Sequence, residues 1–131
     1  MPLSLPALVT LALVLWYLFT VFQVGRLRAK YKVIAPDTTG DPAFERAFRV
    51  QMNEIENLVA FLPSMWIYAW FGNPRFAAIA GCVFLVGRVI FALGYWLEPR
   101  RRSLGYTISM FTIAITWTLA LASVLMVVGF A

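Results

Sequence analysis

The chain has 131 residues, of which 62% are hydrophobic and 13% are charged, and its net charge is +5. Soluble domains carry about 25% charged residues, so this composition excludes an ordinary soluble domain and indicates one integral membrane domain. The sequence has no histidine and a single cysteine, Cys82, which excludes an intrachain disulfide and the common zinc sites. Cys82 lies inside an apolar run, and we expect it to serve only as packing.

Four apolar stretches follow one another along the chain, and each supplies the roughly 20 residues that a spanning helix needs. They predict spans at about residues 3–27, 44–71, 75–97 and 103–130. The stretches are long and do not alternate, which favours helices over strands. The first has no basic segment before it and is too long for a signal peptide, so we interpret it as a retained span. The sequence therefore predicts an all-α integral membrane four-helix bundle in a single domain, residues 1–131.

The connections predict where the spans end and how they are oriented. Asp41 or Pro42 is the expected start of the second helix. The turn Gly72-Asn73-Pro74 makes spans two and three antiparallel neighbours. The first and third connections hold seven basic residues against one in the second: Arg26, Arg28, Lys30, Lys32, Arg100, Arg101 and Arg102 against Arg75. Because cytoplasmic loops are rich in lysine and arginine, we expect both basic loops in the cytoplasm and both termini on the non-cytoplasmic side.

The basic residues also bear on the partners of the chain. They lie beside long apolar runs, so anionic lipid headgroups or an anionic substrate are the expected partners, and nucleic acid is not. For Arg100, Arg101 and Arg102 a plainer interpretation stays open, in which they act only as a topology anchor.

The first half of the second span carries charges that membrane helices rarely tolerate. Five polar residues recur at helical spacing and form one stripe that runs inward from the cytoplasmic end: Arg46, Arg49, Asn53, Glu56 and Asn57. The third span has a matching stripe of Arg88, Phe91 and Tyr95. Arg88 lies about 15 Å from the same end at 1.5 Å per residue, and we expect it to pair with Glu56. Two plainer interpretations stay open: a solvated helix end that includes Glu45, Arg46 and Glu54, and a purely structural ion pair for Arg88.

The residue types in this stripe exclude several chemistries. Without histidine, without a cysteine near the stripe and without a glycine-rich phosphate loop, nucleophilic triads and P-loops are excluded. Arginines, amides, one deep carboxylate and tyrosines remain, and these suit an anionic, peptide-like ligand with a free amine. The reactive atom would then come with the ligand.

The polar stripe also carries a family resemblance. The second-helix signature of the MAPEG family, the membrane-associated proteins in eicosanoid and glutathione metabolism, closely resembles the run FERAFRVQMNEIE at residues 44–56. Thr38-Thr39-Gly40, Gly94-Tyr95 and Arg102-Ser103 fit as well. The likeness covers nearly the whole chain. It implies a homotrimer of four-helix subunits, with glutathione held between neighbouring subunits at the cytoplasmic side.

The resemblance also implies roles for individual residues. Arg102 matches the arginine thought to activate the glutathione thiol, and Ser103 matches a serine proposed for that task in prostaglandin E synthase members. The positions that match glutathione-binding residues are Arg28, Arg49, Gln51, Asn53, Glu56, Tyr95 and Tyr106. Ala29, Asn57 and Phe91 depart from the leukotriene-synthesising members, which favours a general glutathione transferase or peroxidase.

The expected function is therefore a membrane-bound glutathione transferase, with glutathione peroxidase activity from the same thiol. Glutathione would be the co-substrate, no metal would be needed, and the second substrate would be an apolar electrophile or a lipid hydroperoxide. The expected location is a bacterial inner membrane, with the active site facing the cytoplasm. The alternatives are a non-catalytic scaffold that binds glutathione or lipid, and a small four-helix exporter. The first span lacks the carboxylate that such exporters typically need.

Overall fold

The computed structural model describes residues 1–129 and contains four long helices joined by short connections. The helices are α1 (Ser4–Tyr31), α2 (Pro42–Phe71), α3 (Pro74–Leu97) and α4 (Ser103–Val128), with a 3₁₀ turn, Pro99–Arg102, before α4. At 1.5 Å per residue they are about 36–45 Å long, enough to cross a hydrocarbon core of about 30 Å. Every regular element of the described residues is helical, so the predicted all-α four-helix fold is confirmed.

Local sequence explains where α2 begins and where α1 ends. α2 begins at Pro42, and the Asp41 side chain caps it by accepting a hydrogen bond at 2.8 Å from a backbone N–H of the first turn. α1 is longer than its predicted span, because the helix continues to Tyr31 and ends where Lys32 adopts a left-handed conformation. The predicted end of the fourth span, residue 130, lies outside the described residues.

α2 and α3 form the centre of the bundle, and α1 and α4 each pack against both of them. By length and composition, α1, α3 and the segment Pro99–Val128 can each cross a membrane. α2 is less apolar because its first half carries the charged stripe. α2 packs against all three apolar helices. Of its charged side chains, Glu54 is buried, whereas Arg49 and Glu56 are exposed.

Glycines allow α3 and α4 to approach closely near the end of the bundle where α4 begins. A Cβ atom at Gly87 would lie 2.8 Å from Cγ2 of Ile108 on α4. A Cβ atom at Gly105 would collide with the backbone of Phe91 and with the carbonyl oxygen of Gly87. The two helices are therefore in backbone contact here, as small residues permit in membrane bundles.

We expect Gly105→Ala to lower thermal stability in detergent, because the atoms that the new methyl group meets are backbone atoms that cannot rotate away. Overpacking of this kind costs about 1–3 kcal/mol. Gly25→Ala is the matched control, since a Cβ atom at Gly25 meets nothing within 4 Å and alanine favours a helix. Thermal unfolding of both variants checks the prediction, and equal stabilities would contradict the close packing of α3 on α4.

Cys82 does not pack inside the bundle. Its side chain lies on the exposed surface of α3, as do those of Val83 and Val86. Within one chain it therefore takes no part in core packing. Because both faces of a membrane helix are apolar, hydrophobicity alone does not distinguish a core position from one on the outside.

Candidate functional site

A cavity of about 780 Å³ opens at the end of the bundle where α2 and α4 begin and α3 ends. Most of the predicted site residues lie in its wall: Arg49, Asn53, Glu56, Tyr95, Arg102, Ser103 and Tyr106. They come from α2, from α3 and from the start of α4, so the fold joins segments that are far apart in sequence. The volume falls within the range of about 300–1,000 Å³ that small-molecule sites occupy.

Charges of both signs line this cavity. Two arginines and two glutamates are present among the described wall residues: Arg49, Arg102, Glu45 and Glu56. Guanidinium groups bind carboxylates, and carboxylates bind ammonium groups through charge-assisted hydrogen bonds. The wall therefore suits a small ligand that itself carries both carboxylate and ammonium groups.

Arg102 is placed at the cavity by an aromatic support. It ends the 3₁₀ turn, and its Cζ atom lies 5.9 Å from the centroid of the Tyr95 ring. That distance is typical of a cation–π contact. Tyr95 is buried and packs on Phe91, with 5.7 Å between the ring centroids. Since a guanidinium has five N–H donors and no acceptor, Arg102 can offer several donors to an anion in the cavity.

Beneath the cavity, Arg88 pairs with Glu54 and not with Glu56. Arg88 Nε lies 2.9 Å from Glu54 Oε2, and both side chains are 0% exposed. The predicted Glu56–Arg88 pair is wrong, and so is the interpretation of Glu54 as part of a solvated helix end. The two glutamates are two residues apart, which turns them about 200° around the helix axis. Glu54 therefore points at α3, whereas Glu56 points into the cavity.

Arg88 also donates hydrogen bonds to two other helices. Nη2 donates to Asn53 Oδ1 on α2 at 2.6 Å, and Nη1 donates to Ser109 Oγ on α4 at 3.4 Å. Ser109 Oγ donates in turn to the carbonyl oxygen of Gly105 at 2.8 Å. The guanidinium also lies over Phe91, with 4.4 Å from Cζ to the ring centroid. One buried side chain thus ties three helices together directly below the cavity.

Two predicted site residues, Arg28 and Gln51, are not in the wall of this cavity. Arg28 Nη1 donates to the backbone oxygen of Asp37 at 2.6 Å, and its guanidinium lies over the Phe44 ring at 4.8 Å. It therefore holds the loop between α1 and α2 against the start of α2. Gln51 is half-buried and lies about 200° around α2 from Asn53. Their roles toward a ligand stay predictions.

Other polar residues line the cavity without having been predicted as contacts: Thr38, Thr39, Glu45 and Thr107. Glu45 lies four residues before Arg49, and Thr107 lies four residues after Ser103. The i, i+4 spacing places each on the same helix face as its predicted neighbour, so this signal was present in the sequence. Thr38 and Thr39 come from the loop between α1 and α2, whose path no helical period predicts.

Comparison with known proteins identifies the family of the chain. The sequence model of the MAPEG family matches residues 6–122. An uncharacterised protein of Synechocystis sp. is 43% identical over 120 residues, which cover 92% of this chain and 88% of that protein. Human microsomal glutathione S-transferase 2 is 37% identical over 97 residues, covering 74% of this chain and 66% of the human protein. Leukotriene C4 synthase of Cavia porcellus is 38% identical over 92 residues, covering 70% and 61% of the two chains. Because the family match reaches into all four helices and includes the whole described cavity wall, the chain belongs to the MAPEG family.

Proposed function

We propose that the chain is a membrane-bound glutathione transferase that activates the glutathione thiol for attack on apolar electrophiles. The observation that carries this proposal is the cavity in which Arg49, Glu56 and Arg102 share one wall. Glutathione has two carboxylates, an ammonium group, two peptide amides and a thiol, so the charged groups of the wall match those of the ligand. The name of the human relative, microsomal glutathione S-transferase 2, supports the same ligand.

The catalytic role falls to Arg102. The thiolate is the nucleophilic form of a thiol, and a free cysteine thiol has a pKa of about 8.5. A guanidinium beside the sulfur favours the anion and lowers the pKa of the thiol. Ser103 lies next in the chain, and its hydroxyl can donate a further hydrogen bond to the same sulfur. Arg49 and Glu56 would hold a carboxylate and the ammonium group of glutathione, which fixes the position of the thiol.

Two reactions follow from the same thiolate. In conjugation, the thiol proton passes to solvent, a sulfur–carbon bond forms, and the leaving group departs with its bonding electron pair. With a lipid hydroperoxide, the sulfur attacks the outer oxygen and the O–O bond breaks, so that a lipid alcohol is released. A second glutathione then reduces the sulfenic acid to a disulfide and water. Transferase and peroxidase activity therefore need no residue of the chain to change its own covalent state.

The proposal includes the orientation and the assembly. The cavity lies at the end that bears the two basic connections, so the positive-inside rule supports an active site that faces the cytoplasm of a bacterial inner membrane. A homotrimer is supported because two residues that match glutathione-binding positions, Arg28 and Gln51, lie outside the cavity of their own subunit. Large apolar side chains on the outer helices, such as Leu8 and Phe111, are exposed and available for lipid or for a neighbouring subunit.

The function is tested on the purified protein in detergent. We expect glutathione to bind in isothermal titration calorimetry, a model aryl halide to be conjugated to glutathione, and native mass spectrometry to report a trimer. Binding without turnover would favour the alternative, a non-catalytic scaffold that binds glutathione. Absence of binding would contradict the assignment of the cavity, and a monomer would contradict the proposed assembly.

A further inference from the structure

We propose that Arg88 is a positioning residue for the ligand site. It fixes which end of the Asn53 side-chain amide faces the cavity, so that Asn53 presents an N–H donor to an oxygen atom of the ligand. The proposal rests on the proposed function, in which that oxygen belongs to glutathione.

The first step is the hydrogen bonding of the Asn53 oxygen. Asn53 Oδ1 accepts from Arg88 Nη2 at 2.6 Å and from Asn57 Nδ2 at 3.1 Å. An amide oxygen has two lone pairs, so both acceptor positions are used. Among the described residues Asn53 Nδ2 donates to no protein group. It is also not one of the polar atoms that are fully buried without a hydrogen-bond partner. Since Asn53 lines the cavity, the amide nitrogen is the end that faces it.

The second step is that this orientation cannot reverse. A guanidinium carries only donors, so a half-turn of the Asn53 amide would set Nδ2 against Arg88 Nη2, donor against donor. Asn57 is locked as well, because its Nδ2 also donates to the backbone oxygen of Asn53 at 2.8 Å. A backbone oxygen only accepts, so Asn57 cannot turn to compensate. The polarity of the Asn53 amide is therefore dictated from below.

The third step is what holds Arg88 itself. Its guanidinium is fixed on different sides by Glu54, by Ser109 and by the Phe91 ring. Of its three side-chain hydrogen bonds, the one to Asn53 at 2.6 Å is the shortest, against 2.9 Å to Glu54 and 3.4 Å to Ser109. A purely structural ion pair needs only the contact with Glu54. The additional short bond connects the buried pair to the cavity wall.

The consequence is a direction for the ligand. At Asn53 the wall offers a hydrogen-bond donor. It therefore favours a carbonyl or carboxylate oxygen of the ligand and disfavours an ammonium group, which is itself a donor. Glu56 lies three residues further along the same helix face and offers the opposite preference. A bound glutathione would thus lie with an oxygen at Asn53 and its ammonium group at Glu56.

A thermodynamic cycle on the full-length protein tests whether Arg88 acts through Asn53. The four proteins are wild type, Asn53→Ala, the pair variant Glu54→Leu/Arg88→Met, and the triple variant. The pair variant removes both buried charges together, because removal of one would leave the other buried and unpaired. The measurements are the glutathione Kd by calorimetry, and KM for glutathione and kcat at saturating glutathione.

We expect Asn53→Ala to weaken glutathione binding about tenfold, the loss of one good hydrogen bond. The pair variant should weaken it about 3–10-fold, with KM raised and kcat retained, because the amide is no longer held in one orientation. The triple variant should bind no more weakly than Asn53→Ala, since Arg88 has nothing left to orient. If the two losses multiply in the triple variant, Arg88 does not act through Asn53 and the proposal is overturned.

Asn53→Asp provides a second test that leaves the buried pair in place. The carboxylate still accepts from Arg88, so thermal stability should match wild type, but the cavity then faces an acceptor. We expect a larger loss of glutathione binding than in Asn53→Ala, and wild-type affinity would overturn the proposal. Failure of wild type to bind glutathione would refute the proposed function and this inference together, whereas binding with multiplying losses refutes the inference alone.

Discussion

Arg102→Ala is expected to lower the rate of glutathione conjugation at neutral pH about 10–100-fold. A cation near an ionisable group that becomes an anion lowers its pKa by about 1–2. At a pH below the pKa of the thiol, lowering that pKa by one unit raises the thiolate population about tenfold. The effect requires Arg102 to reach the sulfur, and its position in the cavity wall over the Tyr95 ring permits this.

The pH dependence separates thiolate stabilisation from a loss of binding. The guanidinium lowers the pKa of the bound thiol, so its removal should shift the rise of the rate toward higher pH. Well above the free-thiol value of about 8.5, glutathione ionises without help and the variant should approach the wild-type rate. The ultraviolet absorbance of the bound thiolate measures the same midpoint directly. An unchanged midpoint in Arg102→Ala would contradict the catalytic assignment.

Arg101→Ala is the matched control for Arg102. Arg101 belongs to the same basic turn, but its side chain is 65% exposed, pairs with Glu98 at 3.6 Å and does not line the cavity. We expect its conjugation rate to stay within about twofold of wild type, because an exposed charge outside the site is screened by solvent. Equal losses in the two variants would favour the interpretation of the turn as a topology anchor.

Helical periodicity predicts part of one wall of the site. Spacing alone predicts one stripe of five residues, and the structure places three of them, Arg49, Asn53 and Glu56, in the wall of the same cavity. This succeeds because the angle between two residues on a helix depends only on their separation in sequence. The other two residues of the stripe do not line the cavity: Arg46 donates to the backbone oxygen of Trp96, and Asn57 is buried.

The same spacing predicts a matching stripe in the third span that includes Tyr95. The family resemblance adds Arg102, which lies beyond the next connection and which no helical period joins to α2.

The partner of Arg88 could not be predicted in the same way. The predicted pairing with Glu56 depends on position along the helix axis, yet Glu54 and Glu56 differ by only about 3 Å in that direction. What separates them is the rotation of α2 about its own axis, which is set by packing against α3. Both faces of α2 carry a carboxylate, so the sequence left the rotation undetermined. The path of the loop that brings Thr38 to the cavity was hidden for a similar reason, since it depends on contacts such as that of Arg28 with Asp37.

The two glutamates are expected to respond to substitution in opposite ways. Glu54→Leu leaves the Arg88 guanidinium buried without its anion, and breaking a buried pair in this way costs about 3–5 kcal/mol. Thermal stability in detergent should therefore fall steeply, and glutathione should restore only part of it. In Glu54→Leu/Arg88→Met the unpaired charge is gone, so stability should return close to that of wild type.

Glu56→Leu is the matched variant on the cavity face of α2. Its side chain is exposed in the cavity, so the same substitution should leave thermal stability near wild type. Glutathione binding should weaken about 10–100-fold, since a charge-assisted hydrogen bond to the ammonium group is lost. Thermal unfolding and calorimetry on both single variants form the test. If Glu56→Leu were the destabilised variant, α2 would have to be rotated about 200° from the orientation found here. In that orientation Asn53 would also turn away from Arg88, so this pair of substitutions tests the rotation of α2 on which the whole cavity wall depends.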